Sequence, residues 1–173
     1  MSFCSQLAVL FFMLQLPSVM ADALAPQLGK PISTDLVAGI GPDGQGLPRG
    51  AGSVSEGRIV YEAHCLVCHG PEGKMPGNAL AGGRGSLATD RPNKTVGSYW
   101  PYATTLFDYI NRAMPYGNEK LLSANEVYGV SAYVLFLNGI LDDDESLDAN
   151  ALRAVVMPNR EGFQNVYSVK SSD

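Results

Sequence analysis

The residues best suited to do chemistry are two cysteines and a histidine that lie close together in the chain. Cys65, Cys68 and His69 form a CxxCH motif. Two thiols three residues apart on a helical turn can each add across a vinyl group of haem, and the adjacent imidazole can then reach the iron. The motif predicts one covalently bound haem c with His69 as an axial ligand.

Two other uses of a cysteine pair are less compatible with the sequence. A zinc site needs four ligands, but the chain has no second cysteine pair and only one other histidine, His64. A thioredoxin-like dithiol needs a strand-turn-helix context, which this helix- and loop-rich chain does not offer. We expect His64 to lie at the surface and to point away from the ring.

The second axial ligand has to come from what remains, and methionine is favoured. Met75, Met114 and Met157 are each followed by proline, so this local pattern does not choose among them. Met75 lies too close to His69 to return on the opposite side of a haem. Met114 follows a predicted helix and is held by Pro115, so it is the predicted ligand. We expect Met75 to lie in a surface loop and Met157 to fill the core.

An aromatic segment precedes this methionine. Tyr99, Trp100 and Tyr102 carry N–H and O–H groups that could bind a haem propionate. The alternative is that the three rings only pack beside the haem. In both cases the segment belongs to the predicted haem environment.

The elements that must position these residues are helices. Ser53 and Glu56 form a capping box, which predicts a first helix that runs to about His64 and leads into the motif. A second helix is predicted over residues 103–112, because Pro115 disfavours helix at the residue ahead of it.

The third helix has the clearest pattern. Ser123 and Glu126 form another capping box, valines and leucines follow at helical spacing, and Gly139 supplies the stop. Residues 70–101 read as a long functional loop, and no internal repeat or strand-like alternation is present. The predicted class is all-α, with helices packed around one haem.

The first and third helices are predicted to cross closely. Gly57 and Tyr61 on the first would face Ala132 and Tyr133 on the third, so that a missing side chain admits an aromatic ring.

The flanks complete the predicted organisation. Residues 1–21 lack charged side chains and resemble a secretory signal cut after Ala21, with a short uncleaved anchor as the alternative. Residues 22–52 read as an irregular arm, residues 53–163 as a mono-haem domain and residues 164–173 as a tail. An exported, periplasmic protein is expected, with no membrane span after cleavage.

The charge balance limits the partners. Twelve basic and seventeen acidic residues give a net charge of -5, so the basic stripe of a nucleic-acid-binding protein is not expected. The acidic run at residues 142–145 reads as a solvated turn.

At this point the chain resembles a known family, the class I cytochromes c. Within that family it resembles the cytochrome c subunit (SoxD-like) of the Sox sulfane/sulfite dehydrogenase. Three blocks carry the likeness: DGQGLP at residues 43–48, KTVGSYWPYATTLFDYINRAMP at residues 94–115 and MPNREGF at residues 157–163. The resemblance spans about residues 30–163.

The resemblance implies roles for individual residues. Cys65 and Cys68 would bind haem covalently, and His69 and Met114 would be its axial ligands. The relatives often have proline where this chain has Asn78. The acceptor for the histidine N–H would be a backbone carbonyl there, so the different side chain need not disturb ligation.

The family also implies a function. This chain would be an electron-transfer subunit that is not catalytic alone. It would accept electrons from a molybdenum-cofactor subunit and pass them to a downstream cytochrome c. The Sox members often carry two haem domains, whereas this chain has one CxxCH, so the sulfur substrate is left open. The alternatives are a free soluble shuttle for another periplasmic dehydrogenase, or a haem enzyme acting on thiosulfate or peroxide.

Overall fold

The computed structural model describes residues 39–164. The predicted signal, the first part of the arm and nearly all of the predicted tail lie outside these residues. The elements, in chain order, are β1 (Ala51–Ser53), α1 (Val54–His64), α2 (Leu66–His69), a 3-10 turn (Ser86–Ala88), α3 (Val96–Tyr99), α4 (Ala103–Ala113), α5 (Ala124–Leu137), β2 (Ser146–Asp148) and α6 (Ala149–Ala154). The predicted all-α class and the three predicted helices are confirmed.

The two capping boxes set the starts of the longest helices. The amide of Glu56 donates to the Ser53 hydroxyl at 3.2 Å, and the amide of Ser53 donates to the Glu56 carboxylate at 2.8 Å. Ser123 and Glu126 make the same reciprocal pair at the start of α5. Each box pairs two backbone donors that have no partner within the helix, so both predicted starts are confirmed.

Helices α1 and α5 cross at a pair of glycines. A Cβ added at Gly57 would overlap the backbone carbonyl of Gly129, so the two backbones touch there. One turn further along, the rings of Tyr61 and Tyr133 meet edge to face with centroids 5.1 Å apart. The predicted close crossing is confirmed, but the residue opposite Gly57 is Gly129, not Ala132.

A small sheet corrects the expectation that the chain has no strand. β1 pairs antiparallel with β2, with Ala51 opposite Asp148 and Ser53 opposite Ser146. Each strand is three residues long, so neither is long enough to show an alternating pattern in the sequence. The sheet links the segment before α1 to the segment before α6.

The core lies between α1, α4 and α5. Its largest fully buried side chains include Tyr61, Phe107, Tyr128, Leu135, Leu147, Leu152 and Met157. The expectation that Met157 fills the core is confirmed, because only 1% of this residue is exposed. Among the residues that the structure describes, none of the helices combines the length and apolar character that crossing a bilayer would require.

The described part of the arm is folded against the helices. The hydroxyl of Tyr128 on α5 donates to the carbonyl of Pro48 at 2.9 Å. The amide of Ala51 donates to the side chain of Asn125 at 3.1 Å. The described part of the arm therefore contacts α5 at Pro48 and Ala51, although residues 39–50 form no regular element.

Candidate haem-binding site

One cavity brings together the residues that the sequence singled out. Its volume is about 690 Å³, within the roughly 300–1,000 Å³ of ordinary ligand cavities. Most of its wall is apolar, and Leu106, Ile110, Val130 and Val134 line it from α4 and α5. The residues with cofactor chemistry in the wall are Cys65, Cys68, His69 and Met114.

The turn between α1 and α2 places the two cysteines. The amide of Cys65 still donates to Tyr61 at 2.8 Å, and the Cys65 carbonyl then accepts from the amides of Cys68 and His69. Cys68 is exposed while Cys65 is half-buried. Burial, with a smaller effect of the neighbouring Cys68, raises the pKa of the Cys65 thiol to about 11. At neutral pH this sulfur is therefore a protonated thiol.

His69 is oriented by a backbone carbonyl. Its Nδ1 lies 2.7 Å from the carbonyl oxygen of Asn78. Because a carbonyl can only accept, Nδ1 carries a proton, and in the neutral ring Nε2 then has the free lone pair. This is the tautomer that binds a metal through Nε2. The carbonyl that the family resemblance implied is present at Asn78, and its side chain takes no part in this bond.

Of the three Met-Pro candidates, only Met114 lies in the cavity wall. It directly follows α4 and adopts an extended conformation, and its amide still donates to Ile110 at 3.1 Å. Met75 is 39% exposed, as expected for a surface loop, and Met157 is buried in the core. The structure thus brings Met114 into the same cavity as His69.

Only part of the aromatic segment lies in the cavity wall. Trp100 lines the cavity and contacts Tyr109 edge to face at 5.7 Å. Tyr99 and Tyr102 are not part of this wall. Lys94 lies over the Tyr99 ring at 5.0 Å and Arg160 over the Tyr102 ring at 4.4 Å. Of the three predicted residues, only Trp100 is placed to contact a cofactor in this cavity.

Several residues of the cavity wall were not predicted from the sequence. Tyr61 lines the cavity, and its hydroxyl donates to the buried carbonyl of Gly70 at 2.7 Å. Burial raises the pKa of Tyr61 to about 12, so the hydroxyl stays a donor at neutral pH. Tyr109 lies three residues after Leu106 on the same helical face, and that spacing could have revealed it. Asn93, Lys94 and Thr95 add a polar wall for which no local pattern exists.

His64 departs in part from its prediction. It is exposed, as expected, but it also contributes to the cavity wall next to Cys65. Helix α1 ends at His64, directly before Cys65. The side chain of His64 therefore lies beside the CxxCH motif.

The described residues of the cavity carry a donor set that fits a haem. Within residues 39–164, no group of three or more His, Cys, Asp or Glu side chains is arranged to hold a metal ion. An apolar cavity with two thiols, a correctly protonated imidazole and a thioether has the donor set of a haem c site.

Comparison with known proteins agrees with this geometry. The model of a family described as "Cytochrome C oxidase, cbb3-type, subunit III" matches residues 52–134, a span that contains the CxxCH motif and Met114. A chain of the sulfane dehydrogenase SoxCD from Paracoccus pantotrophus has a similar structure, with a TM-score of 0.72 and 40% sequence identity. The match covers 78% of this chain and 69% of that chain. The protein therefore belongs to the class I cytochromes c, in the SoxD-like group.

Proposed function

We propose that this chain is a periplasmic, mono-haem electron-transfer subunit. Its partner would be a molybdenum-dependent dehydrogenase subunit that oxidises sulfane sulfur or sulfite. The 40% identity to a chain of the sulfane dehydrogenase SoxCD supports the choice of partner. A downstream cytochrome c would then take the electrons away.

The observation that carries the proposal is the single cavity that contains Cys65, Cys68, His69 and Met114. The two cysteines would hold the haem through thioether bonds. His69 through Nε2 and Met114 through its sulfur would be the protein's ligands to the iron. Haem bound in this way supplies reversible one-electron redox chemistry.

This ligand set favours electron transfer over catalysis at the iron. With His69 and Met114 both bound, no coordination position is left for thiosulfate or peroxide. Thioether ligation also raises the reduction potential, which suits an acceptor of electrons. Electrons would enter and leave through contact with other proteins.

The surface beside the cavity offers a place for that contact. Val67 lies between the two cysteines, Tyr116 follows Met114 by two residues, and each is 90% exposed. Tyr116 also lines the cavity. A partner that covers these apolar side chains would bring its own redox centre close to the haem.

The ligand assignment can be tested with a matched pair of variants. Met114→Ala should abolish the far-red ferric absorption band of a methionine–iron bond, and ferrous protein should then bind carbon monoxide readily. Met75→Ala also removes a Met-Pro methionine, but one outside the cavity wall, and should leave both properties unchanged. A band that survives in Met114→Ala, or ready carbon monoxide binding by the parent protein, would refute the ligand set.

The partner assignment needs protein from its own host. It should elute with molybdenum, and sulfite or thiosulfate should reduce its haem promptly in those fractions. A lone monomer that neither compound reduces would support the free shuttle instead. Amino-terminal sequencing of the exported protein should find a start after Ala21, and an intact leader would argue against cleavage there.

A further inference from the structure

The arm lies along one face of the helix that presents Met114. Thr104, Asp108 and Arg112 are spaced by four residues and form a stripe on α4. Residues 39–42, which we call the strap, contact this stripe in reverse order, with Pro42 at Thr104 and Ile40 at Asp108. The strap therefore runs antiparallel to α4.

Asp108 makes the central contact of the strap. Its Oδ1 accepts a hydrogen bond from the amide of Ile40 at 2.9 Å, and its Oδ2 pairs with Arg112 at 2.8 Å. Only 14% of the Asp108 side chain is exposed, so solvent screens these contacts weakly. The hydroxyl of Thr104 donates to the carbonyl of Pro42 at 3.4 Å, which is a weaker bond.

Gly39 makes the last contact of the strap, near the carboxyl end of α4. A Cβ added at Gly39 would lie 3.3 Å from Nη2 of Arg112 and 3.5 Å from Oδ2 of Asp108. The strap backbone thus packs directly on the ion pair. Arg112 lies in the last turn of α4, two residues before Met114.

The opposite face of α4 forms the cavity wall through Leu106 and Ile110. The last turn of a helix has carbonyls without intrahelical partners and frays readily. Here the strap restrains that turn on its outer side, while the cavity lies on its inner side. A substitution at Asp108 would therefore act on Met114 without replacing any residue of the cavity wall.

We propose that Asp108 is a positioning residue for Met114. Its carboxylate ties the strap to α4 and restrains the turn that holds the thioether against the iron. The inference rests on the proposed ligand role of Met114. It assigns to residues 39–42 an internal role, distinct from docking a partner.

The test is the rate at which imidazole displaces Met114 from ferric holoprotein, followed by loss of the far-red band after rapid mixing. Asp108→Ala removes a hydrogen bond to a charged acceptor, and displacement should become about tenfold faster. Asp108→Asn keeps an oxygen acceptor for Ile40 but loses the charge, so it should accelerate displacement less, by about threefold.

A control variant separates this effect from general destabilisation. Asp148 caps α6 by accepting from the amides of Asn150 and Ala151 at 2.8 Å each. Asp148→Ala removes a comparable charged acceptor away from the strap and should leave the displacement rate unchanged. The inference is overturned if Asp108→Ala displaces at the parent rate, or if Asp148→Ala accelerates displacement equally.

A second measurement does not depend on the ligand assignment. Amide hydrogen exchange at Ile40 should be faster in Asp108→Ala than in the parent, and unchanged exchange would overturn the role of the strap. A parent protein without the far-red band would instead refute Met114 as ligand. If Asp108→Ala yields no holoprotein, Asp108→Asn decides the question, and parent values for both readouts would then overturn the inference.

Discussion

The crossing of α1 and α5 predicts an unequal response to the same substitution at two glycines. In Gly57→Ala, the new Cβ would meet the carbonyl oxygen and carbon of Gly129. In Gly129→Ala, the nearest atoms are the nitrogen of Gly57 at 3.1 Å and its Cα at 3.2 Å. The first contact is a severe overlap with backbone, which cannot rotate away. The second needs an adjustment of a few tenths of an ångström.

Two opposing terms set the magnitude. Alanine in place of glycine within a helix stabilises by about 1 kcal/mol. Overpacking costs about 1–3 kcal/mol, and an overlap with backbone lies at the upper end of that range. We therefore expect Gly57→Ala to lower the free energy of unfolding by about 2 kcal/mol. In Gly129→Ala the two terms nearly cancel, so the change should stay within about 1 kcal/mol.

The assay is guanidinium unfolding of the ferric holoprotein. The chain has one tryptophan, Trp100, which lines the cavity, so the haem quenches its fluorescence until the protein unfolds. Circular dichroism provides an independent second signal. A Gly57→Ala variant as stable as Gly129→Ala would refute the reasoning, because it would mean that the two backbones do not touch at Gly57.

Three further predictions concern the site, the helix caps and the docking surface. Tyr61→Phe removes one of two donors to the buried carbonyl of Gly70, which still accepts from the amide of Gly73 at 3.1 Å, so the free energy of unfolding should fall by about 0.5–1.5 kcal/mol in the same assay. The hydrogen bonds from Ser123 lower the pKa of Glu126, so its stabilising effect is complete above the ordinary value of 4.5 and is lost as pH falls through the lowered one. The free energy of unfolding should thus vary less with pH below about 5 in Glu126→Gln than in the parent, and equal slopes would contradict this. Tyr116→Ser should slow haem reduction by the proposed partner dehydrogenase about tenfold at low protein concentration, with no change in reduction by ascorbate.

Local signals in the sequence predicted the helices well. Ser53 with Glu56, and Ser123 with Glu126, act within four residues of each other, so the helix starts were readable without tertiary information. Pro115 gave the end of α4 in the same way. By contrast, β1 and β2 exist only because two distant three-residue segments pair, and no pattern within either segment records that pairing.

The site was predictable where its chemistry depends on residue type. CxxCH and three Met-Pro pairs identified the candidate ligands, and chain length favoured Met114 among them. The placement of the aromatic rings was harder to predict. Tyr99 is the last residue of α3, and the side chains of Tyr99 and Trp100 point in different directions. Trp100 lines the cavity, whereas Tyr99 packs against Phe163 from the far end of the chain.

Asn138 shows how a residue without any local signal can shape the cavity. It follows the apolar helix α5, and its side chain is nearly buried. Its Nδ2 donates to the carbonyls of Leu80 and Val134 at 3.1 and 2.9 Å, and its Oδ1 accepts from the amide of Gly82 at 3.3 Å. Both the Nδ2 and the Oδ1 of this buried amide are hydrogen-bonded. Such a fully paired group favours a single arrangement of the chain around it.

The segment held in this way belongs to the candidate haem-binding site. Leu80 lies two residues after Asn78, whose carbonyl sets the tautomer of His69, and its own carbonyl also accepts from the amide of Val96 at the start of α3. Gly97 packs so tightly on Asn138 that a Cβ there would overlap the amide. One side chain at the end of α5 thus holds both the loop that orients His69 and the short helix that leads to Trp100. The loop around Leu80 has no regular secondary structure, yet it can form part of the cavity wall. It can do so because the side chain of Asn138, at the end of α5, pairs with the backbone groups of Leu80 and Gly82.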